Sequence, residues 1–498
     1  MAQLDLAIRG ALILDGSGAP AFAGDVTVRG ARIEAVGAPS GGASARREID
    51  ARGLVLAPGF VDVHTHDDGA LLAHPGMEFK LSQGVTSVVV GNCGFSAAPV
   101  LGAGASGAAL SFGPAADRRD LAGYRAAVEA ARPAVNCVAL VGHNSLRSQL
   151  VGAEDRAPSA AELAAMRGEV ERALEQGACG FSTGLVYTPG RYARTEEVTE
   201  LARPLAARGA LYATHMRNEG DLLFDSIEET LRIGREAGCA VHVSHHKAAG
   251  LRNFGKVSES LARIDRANAE GMDVSLDVYP YTASSGPMAE YFRLDRLDLE
   301  LAAVTRLANC PDFRAWEGRG LSEIAAELGV SLEEVTRRIL GAPRARETIC
   351  IQFIMDEGDV EANLRHPRAM IGSDGIPDLR GRPHPRLFGT CPRVLGRYVR
   401  ERGVLSLPEA VRRMTSLSCE RFGLAGRGRV AEGAFADLVL FDPEAVADVA
   451  TYEDPKRESR GIACVIVNGA VALEGGRHTG AGAGRALRYR AEPEEGRP

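Results

Sequence analysis

Between residues 58 and 414 the chain repeats one unit: a short apolar run, then a stretch of helical period. "TSVVVGNCG" leads to "DLAGYRAAVEAARP", and "VNCVALVGH" leads to "SAAELAAMRGEVERALEQG". "GACGFSTGL", "ALYATHM", "AVHVSHHK" and "MDVSLDVYPY" follow, several of them separated by helices such as "DLLFDSIEETLRIGREAG". Strands apolar on both faces and spaced by helices belong in a parallel sheet covered by those helices. This many units close most economically as a (β/α)8 barrel. An open doubly wound sheet calls for a glycine-rich phosphate turn after its first strand, and "PGFVDVHTH" is not one.

The two ends differ from the middle. "DLAIRGALILDG", "GDVTVRGARIEAVG" and "REIDARGLVLAPG" alternate apolar and polar residues between turn signals, and so do "GRVAEGAFADLVLFDP" and "IACVIVNGAVALEGG". The expected plan is therefore α/β: a TIM-like barrel over 58–414, with a small β-sandwich built from 1–57 and 415–480. Residues 286–348 break the barrel rhythm with "LSEIAAELGVSLEEVTRRILG", a helical pair without a strand partner, read as an insertion over the barrel mouth. Residues 481–498 read as a loose tail.

Charge and composition exclude several classes. A net charge of −7 without a Lys/Arg cluster offers nucleic acid no footprint. No apolar run reaches the roughly 18 residues of a membrane span, and the start lacks the basic flank and apolar core of a secretory signal. Nine cysteines without CxxC pairs suit a reducing compartment, so the expected location is cytoplasmic.

Barrel enzymes place their chemistry at the C-terminal strand ends. Those ends carry His64 and His66, Cys93, His143, His215, His245 with Lys247, Tyr279 and Tyr281, and Asp374. In "VHTH" alternate side chains share a face, which turns both imidazoles inward and Thr65 away. In "SHHK" the same parity points His245 and Lys247 inward and His246 toward the helix layer. His143 either lines the pocket or makes a structural hydrogen bond, and His242 is equally open. One thiol and two or more imidazoles at successive strand ends form the donor set of a catalytic zinc site with an open position for water. Asp374, in "MIGSDGIP", adds a carboxylate that binds metal or takes a proton.

Together, "PGFVDVHTHDD", "GNCGFS", "THMRNE", "SHHK" and "GSDGIP…PHPRLFGT" resemble the N-acyl-D-amino-acid deacylases (D-aminoacylases) of the amidohydrolase superfamily, over nearly the whole chain. The resemblance implies a tightly bound Zn2+ on Cys93, His215 and His245, and a second, weaker position on His64, His66 and Asp374. It also implies that Lys247, Tyr279 or Tyr281, and Arg386 hold the substrate carboxylate. The stretch from Asp374 to Arg386 looks about one residue longer than the family spacing, which leaves Arg380 and Arg382 as substitutes for Arg386.

The chemistry expected of such a site is hydrolysis of a linear amide, with zinc activating water and Asp374 as general base and then acid. A cyclic-amide hydrolase of the hydantoinase or dihydroorotase kind is the rival enzyme, although those relatives bridge their metals with a carboxylated lysine rather than a cysteine. A metal-free scaffold is the rival from outside catalysis; it is expected to have lost ligands that are all present here.

Overall fold

The computed structural model describes residues 3–37, 44–101 and 119–490. Its centre is an eight-stranded parallel sheet in which sequence neighbours are also spatial neighbours. In chain order the strands are β1 (Phe60–Asp62), β2 (Val85–Val90), β3 (Asn136–Gly142), β4 (Gly180–Gly184), β5 (Leu211–His215), β6 (Ala240–Val243), β7 (Val274–Val278) and β8 (Ala369–Ile371). Every residue of β2, β3, β5 and β7 is buried, as the double-faced burial of a helix-covered sheet requires.

The seam between β1 and β8 is short and consists largely of the residues just beyond them. Val63 N donates to Ile371 O (3.4 Å), Asp374 N to His64 O (2.6 Å) and His66 N to Gly375 O (3.0 Å). The sheet is thus a nearly closed barrel whose closure runs through the segments bearing the expected metal ligands.

The covering helices follow from their spacing. The helix Leu223–Ala237 turns Leu223, Ile227 and Leu231 inward at intervals of four residues and stops at Gly238, whose φ of 68° an L side chain would adopt only with strain. Inside the barrel, Val61, Val89, Val138, Leu140, Leu211 and Met370 fill the end opposite the mouth.

The termini form a separate nine-stranded sheet. The strand Leu438–Phe441 pairs antiparallel with Val55–Pro58 and so stitches the C-terminal strands to the N-terminal ones. Its apolar face includes Leu6, Ile8, Val26, Leu440 and Ile466.

Two expectations need correction. The helical pair in 286–348 does have strand partners: Ser284–Pro287, Thr305–Asn309 and Ile349–Gln352 form an antiparallel sheet, and the helices Leu321–Leu328 and Leu332–Leu340 share its core through Leu307, Ile324, Val335, Ile339 and Cys350. Strands of four or five residues, some as polar as "TRLAN", carry too little period-two signal to be read alone. Nor is the described part of the expected loose tail loose. Cys137 N donates to Arg485 O (2.8 Å), Leu487 N donates to Cys137 O (2.7 Å), and Leu487 is buried against the barrel floor. Residues 491–498 lie outside the described residues.

Candidate metal and substrate centre

His64 and His66 follow β1, Cys93 lies three residues beyond β2, His215 ends β5, His245 lies two beyond β6, and Asp374 three beyond β8. Strand parity alone does not aim all of these. Cys93, His245 and Asp374 have φ of 53°, 35° and 49°, a left-handed backbone that costs a non-glycine residue about 1 kcal/mol or more. The chain turns sharply at each strand end and directs the side chain over the mouth. Gly372 makes room for the last strand, since any Cβ there would overlap that of His64.

The six side chains converge. Cys93 Sγ lies 3.2 Å from His64 Nε2 and 3.4 Å from His245 Nε2. The His245 ring stands 4.3 Å from that of His215 and 4.7 Å from that of His64, centroid to centroid. Asp374 Oδ1 lies 3.1 Å from His66 Nε2 and 3.6 Å from His64 Nε2. Two sets of ligand atoms, His64–Cys93–His245 and His64–His66–Asp374, each fall within 4.8 Å, and a third joins His215, Glu219 and His245. The thiol therefore stands between the two metal positions expected from sequence.

Two acidic groups at this centre are held ionised despite their burial. Burial opposes ionisation of the Cys93 thiol, yet the imidazoles of His64 and His245 hold it well below its ordinary value. Burial likewise opposes ionisation of Asp374, and the Arg386 guanidinium together with the His66 hydrogen bond and the nearby imidazoles holds it well below its ordinary value. In response His66, despite its burial, is driven up to about 9 by the Asp374 carboxylate and Cys93. Protons on the imidazoles are one way to satisfy a buried thiolate and carboxylate; a divalent cation is the other, and it needs those nitrogens bare. A thiolate, imidazoles and a carboxylate within one coordination radius are a donor set that fits Zn2+.

Two carboxylates absent from the sequence expectations hold the imidazoles in place. Asp277, on β7, lies 3.2 Å from His64 Nδ1 and 2.9 Å from His242 Nε2, and accepts from His245 N at 3.0 Å. Glu219 lies 3.0 Å from His245 Nδ1 and 3.4 Å from His215 Nε2. With Asp277 at its Nδ1, His64 turns its Nε2 to the thiol, and His245 does the same with Glu219 at its Nδ1. A signal for both was present: Asp277 is an acid inside an apolar strand, on the same face as Tyr279, and Glu219 follows His215 by four residues.

The remaining candidates separate cleanly. Arg386 is buried, with Nη2 2.9 Å from Asp374 Oδ2, while its Nε and Nη1 have no partner among the described residues. Its guanidinium carbon lies 4.6 Å from the centroid of the Tyr279 ring, and the buried Tyr279 hydroxyl is also unpartnered. Lys247 Nζ lies 5.7 Å from the same ring and contacts Glu219 Oε1 (2.6 Å) and His245 Nδ1 (2.8 Å). Tyr281 points elsewhere, its hydroxyl toward Asp448 and its ring under Arg393. Arg380 is exposed beside Asp378, and Arg382 reaches Glu453 O. His143 contacts Glu197 (2.9 Å), His242 contacts Ser275 and Asp277, and His246 sits between Asn363 and Ser260 in the helix layer. The insertion reaches the centre through Tyr291, whose hydroxyl lies 3.1 Å from that of Tyr187, a ring packed edge-on against His215.

Comparison with known proteins gives matches over nearly the whole chain. An amidohydrolase family model matches residues 47–473. The D-aminoacylase of Alcaligenes xylosoxydans xylosoxydans is 46% identical over 485 residues, covering 97% of each chain. A solved D-aminoacylase structure, concerned with one-metal activation and second-metal attenuation at a binuclear metal centre, is 46% identical and superposes with a TM-score of 0.90 over 97% of this chain and 100% of its own. The N-acyl-D-glutamate deacylase of Bordetella bronchiseptica, solved with zinc and a phosphonate mimic of the tetrahedral intermediate, is 44% identical, with a TM-score of 0.91 over 98% of this chain and 100% of its own.

Proposed function

The chain belongs to the amidohydrolase family, and from that premise we propose that it is a zinc-dependent N-acyl-D-amino-acid deacylase, which hydrolyses its substrate to a carboxylic acid and a free D-amino acid. The observation that carries the reading is the buried Arg386–Asp374 pair: the guanidinium, two of whose nitrogens have no partner among the described residues, lies over the Tyr279 ring, and the carboxylate faces the cluster of imidazoles and thiol.

Cys93, His215 and His245 would hold one Zn2+, and His64, His66 and Asp374 a second, weaker one. Bound there, zinc supplies a Lewis acid that lowers the pKa of water toward about 7 and polarises the amide carbonyl. The chain's own groups do the rest. Arg386 keeps Asp374 ionised, so its carboxylate accepts the proton of the attacking water and returns it to the departing nitrogen. The unpartnered Nε and Nη1 of Arg386 and the Tyr279 hydroxyl receive the α-carboxylate, with the Lys247 ammonium beside them. Fixing carboxylate and scissile carbonyl together leaves the substrate side chain one direction to point, which is the geometric basis for preferring one enantiomer. A small-molecule partner also accords with the acidic net charge, and no helix among the described residues is long and apolar enough to cross a membrane.

The test is a panel of N-acetyl-D- and N-acetyl-L-amino acids, with hydantoin beside them, presented to zinc-loaded protein. Turnover of the D-series alone is expected. Ring opening of hydantoin at a comparable rate, with the acyl amino acids untouched, would assign the site to cyclic amides instead.

A further inference from the structure

Beneath the mouth, on the side where β1 meets β8, lies a charge cluster that the mechanism above does not use. Lys80, on the short helix Glu78–Leu81, has a fully buried side chain. Its Nζ lies 2.6 Å from Asp62 Oδ2, 3.2 Å from Asp67 Oδ2, 3.1 Å from Ser373 Oγ and 3.3 Å from Thr65 Oγ1. Asp62 Oδ1 in turn accepts from Ser373 N (2.7 Å) and His64 N (3.3 Å). Every one of these partners is a chain neighbour, or near neighbour, of His64, His66 or Asp374.

An ammonium and two carboxylates are expensive to bury, and an apolar packing of the same volume is often at least as stable. What such a cluster supplies instead is a fixed geometry, because each charge must stay where its partners are. Here the fixed distance is that across the barrel seam. Besides this cluster, the two sides are joined there by backbone bonds, among them Asp374 N to His64 O and His66 N to Gly375 O, by the bond Ser373 Oγ donates to His64 O (3.4 Å), and by the contact of His66 with Asp374.

We propose that Lys80 is a positioning residue: held by Asp62 and Asp67, it sets the separation of the His64–Thr65–His66 segment from Asp374, and with it both the cation affinity of that half of the centre and the placement of the Asp374 carboxylate. The kinetic consequence rests on the function proposed above; the cation consequence does not.

The test uses full-length protein with Lys80→Met and Asp67→Asn combined, which removes one charge of each sign and leaves the net charge of the cluster unchanged, and the single variant Asp67→Asn beside it. Titration calorimetry with Zn2+ should show the second equivalent weakened by at least about tenfold. Co2+ titration should give an unchanged thiolate-to-metal absorption at Cys93, saturating at one equivalent. For hydrolysis, kcat should fall by at least about tenfold with KM within about twofold. A role in stability alone predicts the reverse for the double variant: thermal midpoint, second-equivalent affinity and kcat all recover together, and that result overturns the proposal. If the double variant does not fold, parental affinity and kcat in Asp67→Asn overturn it equally. Parent protein that binds zinc at both positions yet cleaves no acyl amino acid would refute the function, while the calorimetric comparison still decides the role of Lys80.

Discussion

Arg386 Nη2 lies 2.9 Å from Asp374 Oδ2, while the other oxygen of the same carboxylate faces His66 Nε2 at 3.1 Å. One buried side chain thus joins the cation half of the centre to its carboxylate-binding half. The arrangement keeps Asp374 an acceptor at neutral pH although it is buried, and leaves two guanidinium nitrogens, Nε and Nη1, for a ligand.

Replacing the proton carrier should stop chemistry without removing the metal. Asp374→Asn keeps the shape, and the thiol with its two partner imidazoles stays in place. Zinc content near one per chain is expected, with kcat lowered on the order of 10²–10⁴-fold. Metal analysis and steady-state kinetics on one preparation check this; near-normal turnover would mean another base.

The thiol should matter most for retaining metal. Cys93 stands within 3.4 Å of two imidazoles, His64 and His245, one from each of the two expected metal positions. Cys93→Ala is expected to fold, as judged by circular dichroism, and to lose most of its zinc and activity after dialysis against a chelator. A fully active, metal-replete variant contradicts the scheme.

Asp277 acts on the metal through His64 and His245. Asp277→Asn preserves size but offers His64 Nδ1 and His242 Nε2 a mixed donor and acceptor in place of an anion. Zinc affinity should fall about 10–100-fold, the usual effect of losing a carboxylate behind a ligating histidine. Competition with a chromophoric chelator reads it directly.

Arg386→Lys retains the charge but not the planar fork. We expect kcat/KM to drop on the order of 10²-fold, about 2.7 kcal/mol, mainly through KM. A substrate whose α-carboxylate is blocked as an amide should discriminate far less between parent and variant, and equal losses on both substrates would place the arginine's role elsewhere.

Away from the centre, Glu197 contributes pH-dependent stability. Burial raises its carboxyl, but the hydrogen bond to His143 and the Arg147 guanidinium bring it below the ordinary glutamate value. A depressed folded-state pKa means the contribution is present above the unfolded value of about 4.3 and is lost as pH falls through the folded one. Glu197→Gln should therefore lower the melting temperature at pH 7, by a destabilisation of roughly 3 kcal/mol, and the gap to the parent should narrow toward pH 3. A gap that stays constant with pH would refute the ionic assignment.

Much of this centre was legible before any coordinates. Short buried runs separated by helices specify a parallel barrel because a strand apolar on both faces has no other stable environment. Once the barrel is inferred, its strand ends single out Cys93, His64, His66, His215, His245 and Asp374, because a core would choose few of those residue types there. The terminal strands, too, announce themselves by alternation.

Other features depend on contacts between residues far apart in the chain, which a linear pattern does not record. Tyr279 and Tyr281 share a strand parity, yet the first faces Arg386 and the second Asp448. Arg386 stands apart from Arg380 and Arg382 only because it alone is packed under Asp374. Asp277 and Glu219 become supports for imidazoles because β7 and the loop after β5 bring them there. Residue type and periodicity fix the kind of environment a side chain needs; which partner meets it depends on how the strand ends turn, at φ angles set by packing across the barrel mouth rather than by local preference.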